Sequence, residues 1–212
     1  MTSALTRTAL PLLGAILLAG AAASQQTDPR LERLDAGTRP TVAALVDSAH
    51  RALLPTEPLV QRALEGATKR ASGDLIVAAV RRLAVDLGRA RDALGSTASA
   101  AELSAGAAAL HAGASQTILA ELRHARREPL TVPLAVLADL VASGVPVDSA
   151  AGAVLSLAGR ARDADLVEFR RAVERDIALG ALPAAATAAA ATATAQIVDV
   201  NAGARQQRPG RP

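Results

Sequence analysis

The chain has 212 residues, half of them apolar, with Phe169 as its single aromatic side chain and no cysteine. The missing cysteine excludes disulfides, thiolate metal sites, cysteine nucleophiles and a lipid-modified N-terminal cysteine. The formal charge is +3, but setting aside Arg7, Arg205, Arg208, Arg211 and Asp199 leaves residues 24–196 with 19 basic and 19 acidic side chains, so the balance gives no reason to expect a polyanion partner.

Residues 1–23 have the pattern of a cleaved signal peptide. Arg7 precedes an apolar run over 9–19, Ala21 and Ala23 fit the small-x-small rule, and Ser24 becomes the new N-terminus. The run falls short of the ~20 residues of a membrane span and contains Pro11 and Gly14. A periplasmic or secreted protein is expected; a retained leader would instead anchor it in the inner membrane through residues 8–23. Residues 24–39 read as a polar linker whose large apolar residues are Leu31 and Leu34.

A first helix is expected over 40–54, with Val42, Leu45, Val46 and Ala49 inward. Pro55 and Pro58 bracket the start of a second, which runs to about residue 70. The longest periodic stretch is 72–94, where Leu75, Ile76, Ala79, Val80, Leu83 and Leu87 form a stripe. Arg81, Arg82, Asp86 and Arg89 lie off it. This helix is the expected hub. Gly95 ends it, and Ser99 with Glu102 has the form of a capping box. A short alanine-rich helix then runs to about residue 112, and another from Ser115 to about 126.

The clearest punctuation falls over 131–184. Leu134, Leu137, Leu140 and Val141 share one face, Gly144 closes that helix, and Pro146 suits the first turn of the next. Ala151, Val154, Leu155 and Ala158 follow, ending at Gly159. Asp163 is expected to cap a third helix striped by Leu166, Phe169, Val173 and Ile177. Gly180 and Pro183 repeat the stop and restart. Residues 183–195 are nearly all Ala and Thr, which predicts a thin terminal helix, and 197–212 reads as a disordered basic tail. Alternating β-branched runs are missing, so the expected fold is all-α: eight or nine short helices, in one domain over 40–196, as an orthogonal bundle or a short solenoid of helix pairs.

Two acid–x–x–His pairs, Asp47 with His50 and Glu121 with His124, are the sharpest candidate for chemistry. Such pairs from two helices, joined by two further glutamates, hold metal in ferritin-like bundles. The two extra inward glutamates are missing, since Glu57 and Glu102 sit at helix starts where capping accounts for them. A surface acid–imidazole pair is the simpler account. No Gly-x-Ser-x-Gly, phosphate-binding loop or dinucleotide fingerprint occurs. The carboxylates Asp163/Asp165 and Glu174/Asp176 are the ordinary product of charged helical faces. The arginine doublets Arg81-Arg82, Arg126-Arg127 and Arg170-Arg171 read as solvated faces neutralised by nearby acids. Nucleic-acid binding is disfavoured by the want of stacking aromatics, and no cofactor is expected.

The segments Pro55-Thr56-Glu57-Pro58-Leu59-Val60 and Ala63-Leu64-Glu65-Gly66-Ala67, with the stretches around Gly144 and Asp176, resemble uncharacterised exported alanine-rich helical proteins of high-GC bacteria. The resemblance implies export and a helical fold, and it transfers no functional residue. Together these readings point to a non-enzymatic interaction or scaffold protein of the cell envelope with a protein partner. The alternative is a metal-binding bundle using Asp47, His50, Glu121 and His124, and the basic tail offers weak contact with a membrane surface.

Overall fold

Every element among residues 28–206, the part of the chain that this computed structural model describes, is helical. Residues 1–27, which include the expected leader, and residues 207–212 lie outside the described residues. After a 3-10 turn at Pro29–Arg33 come α1 (Arg39–Arg51), α2 (Glu57–Thr68), α3 (Gly73–Leu94), α4 (Ala100–Ala112), α5 (Gln116–Ala125), α6 (Thr131–Ala142), α7 (Val147–Ala158), α8 (Asp163–Ala178) and α9 (Pro183–Gln206). The all-α expectation holds.

The helices stack in two rows. One row runs α1, α3, α5, α7, α9, each packed on the next; in the other, α4 packs on α6 and α6 on α8. The rows are joined where α2 meets α3, α3 meets α4, α6 meets α7 and α8 meets α9. α3 is the hub, touching α1, α2, α4 and α5. Its buried line is Ile76, Val80, Leu87, Ala90 and Leu94, whereas Leu75, expected inward, is 65% exposed. Leucines supply most of the large buried side chains: Leu134, Leu137 and Leu140 of α6 and Leu166 of α8 are fully enclosed, beside Phe169. Gly106 of α4 lets α3 and α5 close in, since a Cβ there would lie 3.1 Å from Ala90 Cβ and Leu94 Cδ1.

Gly144 and Gly180 do end helices in the left-handed region, at φ +89° and +97°. α1 and α2 end without glycine: Leu53 (φ +57°) and Arg70 (φ +56°) take the same conformation. Three further expectations about element ends need correction. Residues 24–39 are not all linker, because Leu31 and Leu34 are three apart on a 3-10 turn and share its buried side. The tail is not disordered from 197: α9 runs on to Gln206, with Val198 against the core and Asp199 held by Arg160 at 3.2 Å. Asp163 is the first helical residue of α8 rather than its cap; Asp165 Oδ2 instead accepts from Arg162 N–H at 2.9 Å.

Candidate functional site

The acid–histidine pairs do not converge. His50, Glu121 and His124 are exposed and Asp47 is half-buried. Among the described residues no group of three or more His, Asp or Glu side chains is placed to hold a metal ion. α1 and α5 both lean on α3 rather than on each other, which keeps the two pairs apart.

The buried charges lie elsewhere. Glu102, 6% exposed at the start of α4, completes the predicted capping box: its Oε2 accepts from Ser99 N–H at 2.9 Å, and Ser99 Oγ accepts from Glu102 N–H at 3.2 Å. It does more than cap. Oε1 accepts from Leu130 N–H at 2.9 Å, just ahead of α6, and from Arg123 Nη2 of α5 at 2.5 Å. Burial pushes this carboxyl up, but the donors of Leu130, Ser99 and Arg123 outweigh it and hold it at about 2. Arg126 mirrors it with opposite sign. Its side chain is 4% exposed, Nη1 donates to the carbonyls of Ala161 (2.9 Å) and Ala158 (3.3 Å), and Nη2 to Asp163 (2.6 Å) and Glu128 (2.8 Å). The doublets are therefore not uniformly solvated faces. Arg126 is a buried clasp, and Arg170 of α8 bonds Asp139 of α6 at 2.5 Å, whereas Arg81 and Arg82 remain exposed. These groups hold helices together through their carboxylate oxygens and terminal guanidinium nitrogens, while the buried Nε atoms of Arg123, Arg126 and Arg170 have no hydrogen-bond partner.

Two surfaces have polar or apolar capacity left over. The first is a groove of about 490 Å³ beside the hub. α2 packs on α3 rather than on α4, so the second row opens between α2 and α4 and α3 forms the floor. Pro58, Ala79, Leu83, Ala107 and Ala108 give it an apolar lining, and Arg62, Glu65, Arg82 and His111 give it charge or polarity. Asp86 adjoins it. Its side chain is 7% exposed, Oδ2 lies 3.7 Å from Nδ1 of His111, and that oxygen has no hydrogen-bond partner. The sequence placed Asp86 off the stripe, yet it falls at helical spacing from Leu83 and Ala90, the one signal that could have found it. Ser104 also lines the groove, but it sits seven residues before His111 on α4, about 10 Å along the axis. Its hydroxyl donates to Ala100 O at 2.8 Å, so the Ser, His and Asp do not form a nucleophilic triad.

The second surface is the outward side of α9, where Ala185, Ala188, Ala189, Thr192, Ala193 and Gln196 are exposed. Ile197 (59% exposed) and Val200 (71%) continue it, and Leu179 and Leu182 flank its start. Asp199 is the only charged residue between positions 183 and 204, and Arg160 takes it. No helix among the described residues is long and apolar enough to cross a membrane.

No protein-family model, no curated protein and no solved structure matches this chain.

Proposed function

We propose that this chain is a non-enzymatic helical interaction or scaffold protein of the bacterial cell envelope, exported by its leader. The observation that carries the reading is the outer side of α9. An array of stacked helices needs a polar outer face on its terminal helix to stay soluble. Here that face offers alanine, threonine, isoleucine and valine with one glutamine, Gln196, over about four turns, with its one charge already paired. A contiguous apolar surface of this kind is a contact surface. Export rests on Arg7, the apolar run over 9–19 and the small residues Ala21 and Ala23, together with the likeness to exported alanine-rich proteins.

The test is crosslinking of the full chain in its producing cells, followed by fractionation, beside a Leu182→Glu, Val200→Glu double variant. A crosslinked adduct in the envelope fraction that the double variant loses is the expected result. The reading fails if no adduct forms across several conditions, if the variant forms the same one, or if the protein stays in the cytosol with its leader attached.

A further inference from the structure

We infer that a second copy of this chain covers the outer side of α9, as an antiparallel two-fold pair crossing at residue 191. The inference rests on the reading of that side as a contact surface and names its occupant. Among the described residues, four of the seven exposed large apolar side chains lie there: Leu179 (80% exposed), Leu182 (76%), Ile197 (59%) and Val200 (71%). They stand at the two ends of the face, with alanines between. Turned end for end, the face matches itself. Leu182 of one copy comes level with Val200 of the other, Ala185 with Ile197, and Ala189 with Ala193. The ends pair leucine with valine, the next layers pair isoleucine with alanine, and the alanine centre lets the two backbones approach closely.

The surface beside Ala185 has room for that isoleucine. A shallow hollow of about 390 Å³ lies between the end of α8 and the start of α9, lined by Leu179, Ala181, Ala185, Ala186 and Ala189. Its one acid, Asp176, is held by Arg175 at 3.0 Å. Ile197 of the other copy, level with Ala185, enters it, and two-fold symmetry fills both hollows at once. Charge agrees. Asp199, the only charged residue between positions 183 and 204, is taken by Arg160, and Thr192 Oγ1 donates to Ala188 O at 3.0 Å. A neutral face is complementary to itself. The opposite end of the array is polar, since the outer side of α1 exposes Thr41, Ser48 and Arg51. Contact of α9 with α1 of a further copy, which would run on into a filament, is therefore disfavoured, and the pair closes. The four large side chains show about 500 Å² to solvent and, with the alanines between them, supply much of the roughly 800 Å² per partner of a standard interface.

Sedimentation of the purified chain should show a monomer–dimer equilibrium with Kd on the order of micromolar. Ala189→Glu, at an exposed helical position, sets two like charges near the crossing point and should weaken the dimer at least about tenfold at unchanged melting temperature. Ala44→Glu, on the outer side of α1, should leave it unchanged. The chain has no cysteine, so introduced ones report cleanly. An oxidised mixture of Leu182→Cys and Val200→Cys proteins should give the mixed disulfide in excess over either self-linked product. A monomer at every concentration overturns the second copy, and an envelope adduct with a different protein would then still carry the broader reading. A dimer in solution with no adduct in the producing cells fails the envelope reading alone. A dimer that Ala189→Glu leaves as tight, or one whose mixed disulfide does not predominate, overturns the antiparallel α9 pairing.

Discussion

Replacing Glu102 by glutamine removes a buried charge while leaving its hydrogen-bond donors in place. In the folded chain the carboxyl is held at about 2, against an ordinary value of 4.5. A unit of difference is worth ~1.4 kcal/mol, so the ionised form contributes ~3 kcal/mol to folding. Because the folded value is the depressed one, the contribution is complete above 4.5 and disappears as pH falls toward 2. The glutamine variant keeps an acceptor for Leu130 N–H but presents an NH₂ group toward the Ser99 N–H, so it is destabilised at neutral pH by a similar ~3 kcal/mol. Urea unfolding of both proteins, repeated from pH 7 to about 2, measures the difference between them. Taking the difference removes the other depressed carboxyls, such as Glu57 beside Arg30 and Asp28 beside the same guanidinium. The gap between wild type and Glu102→Gln should be widest at neutral pH and close as the solution is acidified. Parallel pH curves, with a constant gap down to the lowest pH, would refute the assignment of this carboxylate as an ionised latch.

Further predictions concern packing and backbone. Arg126→Met strands the carbonyls of Ala158 and Ala161 and should cost ~2–3 kcal/mol, read as a lower urea midpoint at unchanged slope. Gly106→Ala gains ~1 kcal/mol of helix propensity but drives a Cβ to 3.1 Å from Ala90 Cβ and Leu94 Cδ1; overpacking wins, and a net loss of ~1 kcal/mol is expected by thermal melting. Leu53→Gly relieves a left-handed residue whose side chain is 88% exposed, and should raise the melting temperature, with a gain of ~0.5–1 kcal/mol after the entropy of the unfolded chain is counted. His50→Ala with His124→Ala should shift stability by less than ~0.5 kcal/mol, because both imidazoles are exposed.

What the sequence made legible was local. Gly144 with Pro146 and Gly180 with Pro183 mark helix ends through backbone conformation, and Ser99 with Glu102 marks a start through hydrogen bonds three residues apart. What stayed hidden depends on neighbours far along the chain. Nothing beside Arg126 in sequence announces carbonyls 32 and 35 positions later, so a buried clasp looks like half of a solvated doublet. Leu53 and Arg70 stop helices without glycine because Leu54 N–H and Ala71 N–H bond back to Ala49 O and Gly66 O, at 2.9 and 3.0 Å. The groove was invisible for a further reason. It is a gap between α2 and α4, and a gap has no residues of its own.

The placement of the charged clasps answers a difficulty that composition creates. Helices faced with Ala, Leu and Val bury their surfaces almost as well after sliding one turn, so apolar packing alone leaves register loosely specified. In this chain polar latches span several of the junctions. Arg30 reaches Glu57 between the 3-10 turn and α2, and Arg91 of α3 reaches Ala52 O at the end of α1. Glu102 joins α4 to α5 and to the start of α6, while Arg126 joins the end of α5 to the α7–α8 turn. Arg170 ties α8 to α6 at Asp139, and Arg160, just after α7, reaches Asp199 of α9. A polar group matched to one partner fails when the helix slides, and at the two buried latches, Glu102 and Arg126, the charge left unpaired costs several kcal/mol, whereas the exposed pairs contribute little. These two latches therefore penalise wrong registers more than they stabilise the right one. Exchanging Glu102 and Arg123 together for leucine strands the Ser99 and Leu130 N–H groups and lowers stability, but the amide resonances test register: several sets show that the pair serves register, whereas a single sharp set shows that packing had already settled it.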